Sequence, residues 1–175
     1  MRIVINGGHC PGRDCGALGR ISQEAEITRE LMAAVAGYLR AVGYEVLEVQ
    51  ENDLSQVVKK SNDFEADLFV AIHCNGSVNR NARGTEVYYF SSKGAIVAQC
   101  IQKQIVNSLE TLDRGIKESA TFYVLKQTNC IAVLVETAFI TNEEDEKFLL
   151  VKRNEFARAI ARGITDYHVI LVQEG

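Results

Sequence analysis

The chain has 175 residues, the length of one domain, and its 47% hydrophobic against 24% charged residues is an ordinary globular balance that excludes disorder, collagen and coiled coil as descriptions of the whole. With 19 basic and 23 acidic residues the net charge is −4, and no Lys/Arg block stands anywhere in it, so the electrostatic footprint of a nucleic-acid binder is missing.

From the N-terminus, Ile3 to Ile5 reads as a short apolar strand. Ile27, Leu31, Ala34, Val35, Tyr38, Leu39 and Val42 then recur at helical spacing, with Gly43 as the stop. Tyr44 to Val49 is a second strand, and Leu54 to Phe64 a second helix. Leu68 to Ile72 is a continuous apolar run, as expected of a strand buried on both faces. Thr85 to Phe90 alternates as a strand, and Gly94 to Leu109 has helical spacing. Thr121 to Leu125 and Ile131 to Val135 read as two more strands, with helices near Glu143 to Leu150 and Asn154 to Tyr167. The only Pro, Pro11, lies in a Gly-rich loop, and no linker or repeat divides the chain. The expected fold is a single α/β domain over residues 1–175: a mostly parallel, twisted central sheet of about six strands with helices on both faces.

Five cysteines (Cys10, Cys15, Cys74, Cys100, Cys130) leave at least one thiol unpaired in a monomer, and none stands in a paired C-x-x-C spacing, so synthesis in a reducing compartment is expected. No apolar run approaches the roughly 20 residues of a transmembrane helix. Met1-Arg2 leads straight into Ile3-Val4-Ile5 without a signal-peptide pattern, so the expectation is a protein made in the cytoplasm with no visible export address.

Three of the expected strands run into chemically capable side chains: Ile3 to Ile5 into Asn6-Gly7-Gly8-His9, Leu68 to Ile72 into His73, and Ile131 to Val135 into Glu136. In open α/β sheets that edge is where sites form. If the strands are mutually parallel, His9, His73 and Glu136 share one rim. Glu24 lies three residues before Ile27 and seven before Leu31, on the apolar stripe of the first helix, whereas Glu26 is rotated away. It also sits in the helix's first turn, after Ser22 as a candidate N-cap. Two imidazoles and a carboxylate are a catalytic zinc ligand set that leaves one position to water, and a second carboxylate beside it could handle the proton. Taken singly, each residue has an ordinary structural explanation: Glu24 complements the helix dipole, His73 is a hydrogen-bonded core histidine, and Glu136 is a strand-end charge. The residues alone leave both readings open.

Other constellations are weaker. Gly7 and Gly12 have the glycine spacing of a Walker A loop, but Arg13 and Asp14 stand where it needs Lys and Ser/Thr. Cys10 and Cys74 adjoin His9 and His73, yet neighbours on an extended chain point to opposite sides, which makes them bystanders. His168 has no partner motif and reads as surface, while Arg83-Gly84 and Asp113-Arg114-Gly115 read as polar turns.

These residues carry a family resemblance over most of the chain. Asn6-Gly7-Gly8-His9 with Asp14-Cys15-Gly16-Ala17, Glu24 at a helix start, Ala66 to Asn75 around His73, Arg83-Gly84-Thr85-Glu86-Val87-Tyr88-Tyr89, Asp113 to Lys117 followed by Tyr123-Val124-Leu125, and Val133 to Asn142 around Glu136 resemble, in order and spacing, the catalytic domain of zinc-dependent N-acetylmuramoyl-L-alanine amidases of the amidase-3 type, known from autolysins and phage endolysins. The departures are mild: Asn6-Gly7 for Asp-Pro, Cys15 for Pro, Ile131 for Pro and Ala138 for Gly. The resemblance implies hydrolysis of the amide between N-acetylmuramic acid and L-Ala in peptidoglycan, with one Zn2+ on His9, Glu24 and His73 and with Glu136 as the catalytic acid-base group. Action at the cell wall would follow, either as a phage-type lysin or as the trimmed domain of a secreted autolysin. The alternatives are a zinc peptidase acting on the stem peptide, which shares the metal logic, and a non-catalytic wall-binding module, which absence of any of the four residues would favour. Host, stem-peptide specificity, substrate-contacting residues and oligomeric state are not legible.

Overall fold

In a computed structural model, which describes residues 1–174, six strands and six helices follow one another along the chain, alternating except at β3–β4 and α5–α6. They are β1 (Arg2–Gly7), α1 (Glu24–Ala41), β2 (Glu45–Val49), α2 (Leu54–Asp63), β3 (Leu68–Asn75), β4 (Thr85–Tyr89), α3 (Ser92–Ser108), β5 (Asp113–Glu118), α4 (Tyr123–Gln127), β6 (Ile131–Phe139), α5 (Glu143–Val151) and α6 (Arg153–Glu174). The sheet order is β2-β1-β3-β6-β4-β5. β1, β2, β3 and β6 are parallel, and β4 joins β6 antiparallel with β5 parallel to β4. The expected mostly parallel sheet, covered on both faces, is what forms.

The faces follow from the alternation of each strand. Ile3 and Ile5 point to one side with Leu68, Val70, Ile72, Val133 and Val135, against α1, α3 and α6. Val4 points to the other with Phe69, Ala71 and Leu134, against Val57 and Val58 of α2 and Val124 and Leu125 of α4. Because the central strands are sealed on both faces, Leu68 to Ile72 are all fully buried, which is why that run is apolar throughout. Burying each such aliphatic side chain contributes roughly 1.5–3 kcal/mol.

Helix starts are marked by side-chain caps: Asp53 accepts from the Ser55 N–H, Ser91 from Gly94, and Asn142 from Glu144 and Asp145. The first helix differs from expectation. Its N-cap position is Gln23, which makes no side-chain cap, and the Ser22 hydroxyl donates instead to Glu146 Oε1 at 2.6 Å.

Three further readings are corrected. Thr121 to Leu125 is not a strand: Tyr123–Gln127 form the short helix α4, which lays Val124 and Leu125 onto the sheet face beside α2. The sixth strand is instead β5, Asp113–Glu118, expected to be a polar turn; it is the edge strand and only half-buried, so it tolerates charge. Finally, β3 and β6 do not end at His73 and Glu136. Both run on, with a register shift after His73 that brings Asn75 opposite Phe139.

Candidate metal centre and active site

Because β1 and β3 are adjacent and parallel and β6 lies next to β3, their C-terminal halves present side chains on one rim. The turn after β1 is pinned by the Gly8 N–H donating to the Ile72 carbonyl at 2.9 Å. His9 follows in the left-handed region, φ 58°, an uncommon setting for a residue with a side chain. The loop then folds back through Glu24 N–H to Ala17 O at 3.0 Å and Ala25 N–H to Cys15 O at 3.1 Å, returning the start of α1 to the rim.

Glu24, 3% exposed, is the centre of the arrangement. Its Oε1 lies 2.9 Å from His73 Nδ1 and its Oε2 3.2 Å from His9 Nε2. The same two oxygens accept backbone N–H groups from Cys74 at 3.1 Å and Ala17 at 2.8 Å. The imidazoles meet edge to face, centroids 5.5 Å apart. One donor atom each from His9, Glu24 and His73 fall within 4.8 Å of one another, so the three could hold a single metal ion. The other nitrogen of His9, Nδ1, stands 2.7 Å from Asp14 Oδ2, the carboxylate–imidazole relation that orients metal-bound histidines.

Two glycines make the close approach possible. A Cβ on Gly8 would lie 2.3 Å from His73 Cε1, and one on Gly16 would lie 2.5 Å from His9 Cδ2 and 2.6 Å from Glu24 Oε2. Gly16 also has φ 67°, which a side chain would strain. Their role was not legible in the sequence beyond the motifs that contain them.

The electrostatics favour a cation at this point. Burial alone would raise the Glu24 carboxyl, but the hydrogen bonds to His73 and His9 outweigh it and hold the group far below the usual carboxylate range. Glu24 in turn, against burial and with help from Asp14, pushes the His9 imidazole up to about 9. The site therefore draws a proton or another positive charge. The donor set of two nitrogens, a carboxylate oxygen and a neighbouring carboxylate fits a divalent metal such as zinc.

Glu136 is the register partner of His73 across β3 and β6 and of Glu86 across β6 and β4. Burial pushes its carboxyl up to about 7, the charge of His73 opposing and those of Glu24 and Glu86 adding. Its Oε2 is buried with no hydrogen-bond partner among the described residues. Unlike His9, Glu24 and His73, it is not part of the metal-competent group.

The sulfurs stand apart. The Cys74 side chain is buried in the core packed against α1, with Sγ 3.6 Å from the Thr137 hydroxyl, and burial raises its thiol well above the ordinary value. At Cys10 the expected extended-chain argument does not apply, since His9 is left-handed, yet its sulfur is not among the converging donors either. His168, without a partner motif and expected at the surface, is half-buried, and its Nδ1 lies 2.8 Å from the Tyr44 hydroxyl, at the strands' N-terminal end.

Sequence reasoning also gave no role to Glu86, Arg114 and Lys117, which form a cluster beside Glu136. The available signal was an acidic residue in the middle of the alternating strand Thr85 to Tyr89. Farther along the rim, an open groove is lined by Gly19, Arg20, Arg80, Arg83, Asn142 and Lys147, and a shallower one by Ala17, Leu18, Gly76 and Val78 adjoins it.

Comparison with known proteins agrees with this geometry. The family model described as N-acetylmuramoyl-L-alanine amidase matches residues 3–166. The chain is 36% identical over 176 residues to the N-acetylmuramoyl-L-alanine amidase LytC of Bacillus subtilis (strain 168), covering 95% of this chain and 35% of LytC. It is also 36% identical to YqiI of the same strain, over 95% of this chain and 84% of YqiI. It thus spans about a third of the first relative and most of the second. Among solved structures, the amidase AmiC2 of Nostoc punctiforme superimposes with a TM-score of 0.90 at 31% identity, covering 95% of this chain and 96% of that one. The catalytic domain of CwlV from Bacillus (Paenibacillus) polymyxa var. colistinus gives 0.88 at 32% identity, covering 95% and 97%.

Proposed function

Because the chain belongs to the N-acetylmuramoyl-L-alanine amidase family, we propose that residues 1–175 act as a zinc-dependent catalytic domain that cleaves the amide between N-acetylmuramic acid and L-alanine in peptidoglycan. Its place of action is the cell wall. The observation that carries the reading is the pairing of a metal-competent group, His9, Glu24 and His73, with a separate half-buried carboxylate, Glu136, whose buried Oε2 has no hydrogen-bond partner among the described residues.

In this reading His9, Glu24 and His73 hold one zinc ion, and Asp14 fixes the His9 ring through Nδ1. Bound there, zinc supplies Lewis acidity, polarising the scissile carbonyl and acidifying water. Glu136 accepts a proton from the attacking water as its oxygen bonds to the lactyl carbonyl carbon. It then delivers that proton to the alanine nitrogen as the C–N bond breaks. The products are a lactyl carboxylate on the sugar and a stem peptide with a free L-Ala amine. Cys74, its side chain buried outside the metal-competent group and its thiol raised by burial, is no nucleophile here.

The test is product analysis on purified peptidoglycan, with and without chelator. Release of intact stem peptides with new L-Ala amines, stopped by chelator and restored by zinc, is the expected result. New termini inside the stem would mean a zinc peptidase, and binding to the wall without new termini a binding module; either overturns the reading.

A further inference from the structure

Glu86 lies beside Glu136 on the next strand, 2% exposed, with both carboxylate oxygens engaged. Oε1 accepts from Asn75 Nδ2 at 3.0 Å and the Tyr88 hydroxyl at 2.7 Å, and Oε2 from Arg114 Nε at 2.6 Å and Lys117 Nζ at 2.5 Å. A regular strand could not bring Arg114 and Lys117 to one carboxylate, since residues three apart point to opposite faces. β5 does so through a bulge: its register with β4 slips between Asp113 and Ile116, and Gly115 takes φ 75°. Asp113 Oδ1 anchors that bulge, accepting from the Gly115 N–H at 2.8 Å and Gln102 Nε2 at 2.5 Å. Bulges next to sites re-aim side chains, and this one aims two cations at the same place.

Neutralising Glu86 takes one of the two cations, and the other is available to the adjacent Glu136 or to a bound anion. Arg114 is committed: Nε binds Glu86, Nη1 reaches the Arg83 carbonyl at 3.4 Å, and the guanidinium lies 4.8 Å from the Phe139 ring centroid. Lys117, its side chain 38% exposed, spends one N–H of three on Glu86. Neighbouring strands are about 4.8 Å apart, which places this charge roughly 5–10 Å from the Glu136 row. Extended peptide advances about 3.3–3.6 Å per residue, so the residue after the alanine comes within its reach.

We propose that Lys117, held by Glu86 and backed by Arg114, is an anion subsite that binds the free carboxylate of the stem-peptide residue following L-alanine. The chain then favours stems with that carboxylate free over stems in which it is amidated, because only the carboxylate forms a charge-assisted hydrogen bond. This inference rests on the amidase reading above.

The experiment compares kcat/KM for N-acetylmuramoyl-L-Ala-γ-D-Glu-L-Lys and its α-amidated counterpart, in parallel with calorimetric titration of the sugar-free tripeptides. The acid is favoured by about tenfold or more, within the range expected of one bond to a charged group. Lys117→Met brings the ratio to about one by lowering the value for the acid, and Lys117→Arg keeps the preference. A wild-type ratio near one, or an unchanged ratio in Lys117→Met, overturns the subsite and leaves Lys117 only a counter-ion for Glu86. If neither muramoyl substrate is cleaved, the amidase reading fails and the tripeptide titrations decide. Tighter binding of the acid that Lys117→Met abolishes upholds the subsite, and equal or undetectable binding overturns it.

Discussion

His73 and Glu136 are direct partners across the β3–β6 ladder, so two side chains from distant parts of the chain rise side by side from one face of the sheet. Neighbouring His9 and Glu24 complete a donor group that excludes Glu136. In the proposed reading, that arrangement separates metal binding from proton transfer, and the two can be tested apart.

Glu136→Gln keeps the shape of the side chain but cannot accept a proton. Zinc content and peptidoglycan pull-down should stay near wild type, while turnover, read as release of L-Ala amines, falls by about 10² to 10⁴. Near-normal turnover would remove Glu136 from the mechanism, and zinc loss would make it a ligand.

Asp14 touches His9 Nδ1 at 2.7 Å and accepts the Gly16 N–H at 3.0 Å, so it holds both the ring and the glycine that gives the ring room. Asp14→Ala should weaken zinc affinity by about 10- to 100-fold, the usual effect of losing such a partner. His9→Ala and His73→Ala should lower zinc from about one per chain to none. Competition with a chromophoric chelator measures all three. Full occupancy in both histidine variants would exclude this ligand set.

The site was legible where the residues bearing it interrupt strong apolar patterns. Leu68 to Ile72 and Ala132 to Val135 are buried on both faces, so His73 and Glu136 stood out at the apparent ends of their apolar runs, although both strands continue past them. Glu24 was read from helical phase and from its place in the helix's first turn, although the Ser22 cap expected there does not form. What failed was the segment from Asp113 to Leu125. An edge strand needs only partial burial, so Asp113-Arg114-Gly115 looked like a turn, while Phe122-Tyr123-Val124-Leu125 is a short apolar run whose period does not separate helix from strand. The cluster of Glu86, Arg114 and Lys117 depends on a bulge that brings residues three apart onto one carboxylate, a register fact with no local signature.

The thiols give a sharper check on the chemistry. The Cys74 side chain is enclosed by the core packed against α1, and neither Cys74 nor Cys10 belongs to the metal-competent group. Cys10→Ser combined with Cys74→Ala should retain zinc and most of the turnover on peptidoglycan. Complete loss of turnover with fold and zinc intact would transfer the nucleophile's role to sulfur.

Glu146 ties the metal-site loop to α5, and it makes that loop's stability depend on pH. Its Oε1 accepts from the Ile21 N–H at 2.9 Å and the Ser22 hydroxyl at 2.6 Å, and its Oε2 from the Arg20 N–H at 2.9 Å. Burial by itself would raise the carboxyl, but these bonds outweigh it and the folded-state value lies below the unfolded one. A group depressed on folding contributes stability that is fully present above its unfolded pKa, about 4.3 for Glu, and is lost as pH falls through the folded value. Glu146→Gln removes the ionised form at every pH. Urea unfolding of the metal-free protein should therefore show the variant less stable at pH 7, with the gap to wild type narrowing below about pH 4. A gap that stays constant down to pH 3 would show that the charge of Glu146 contributes nothing and that shape alone holds the loop.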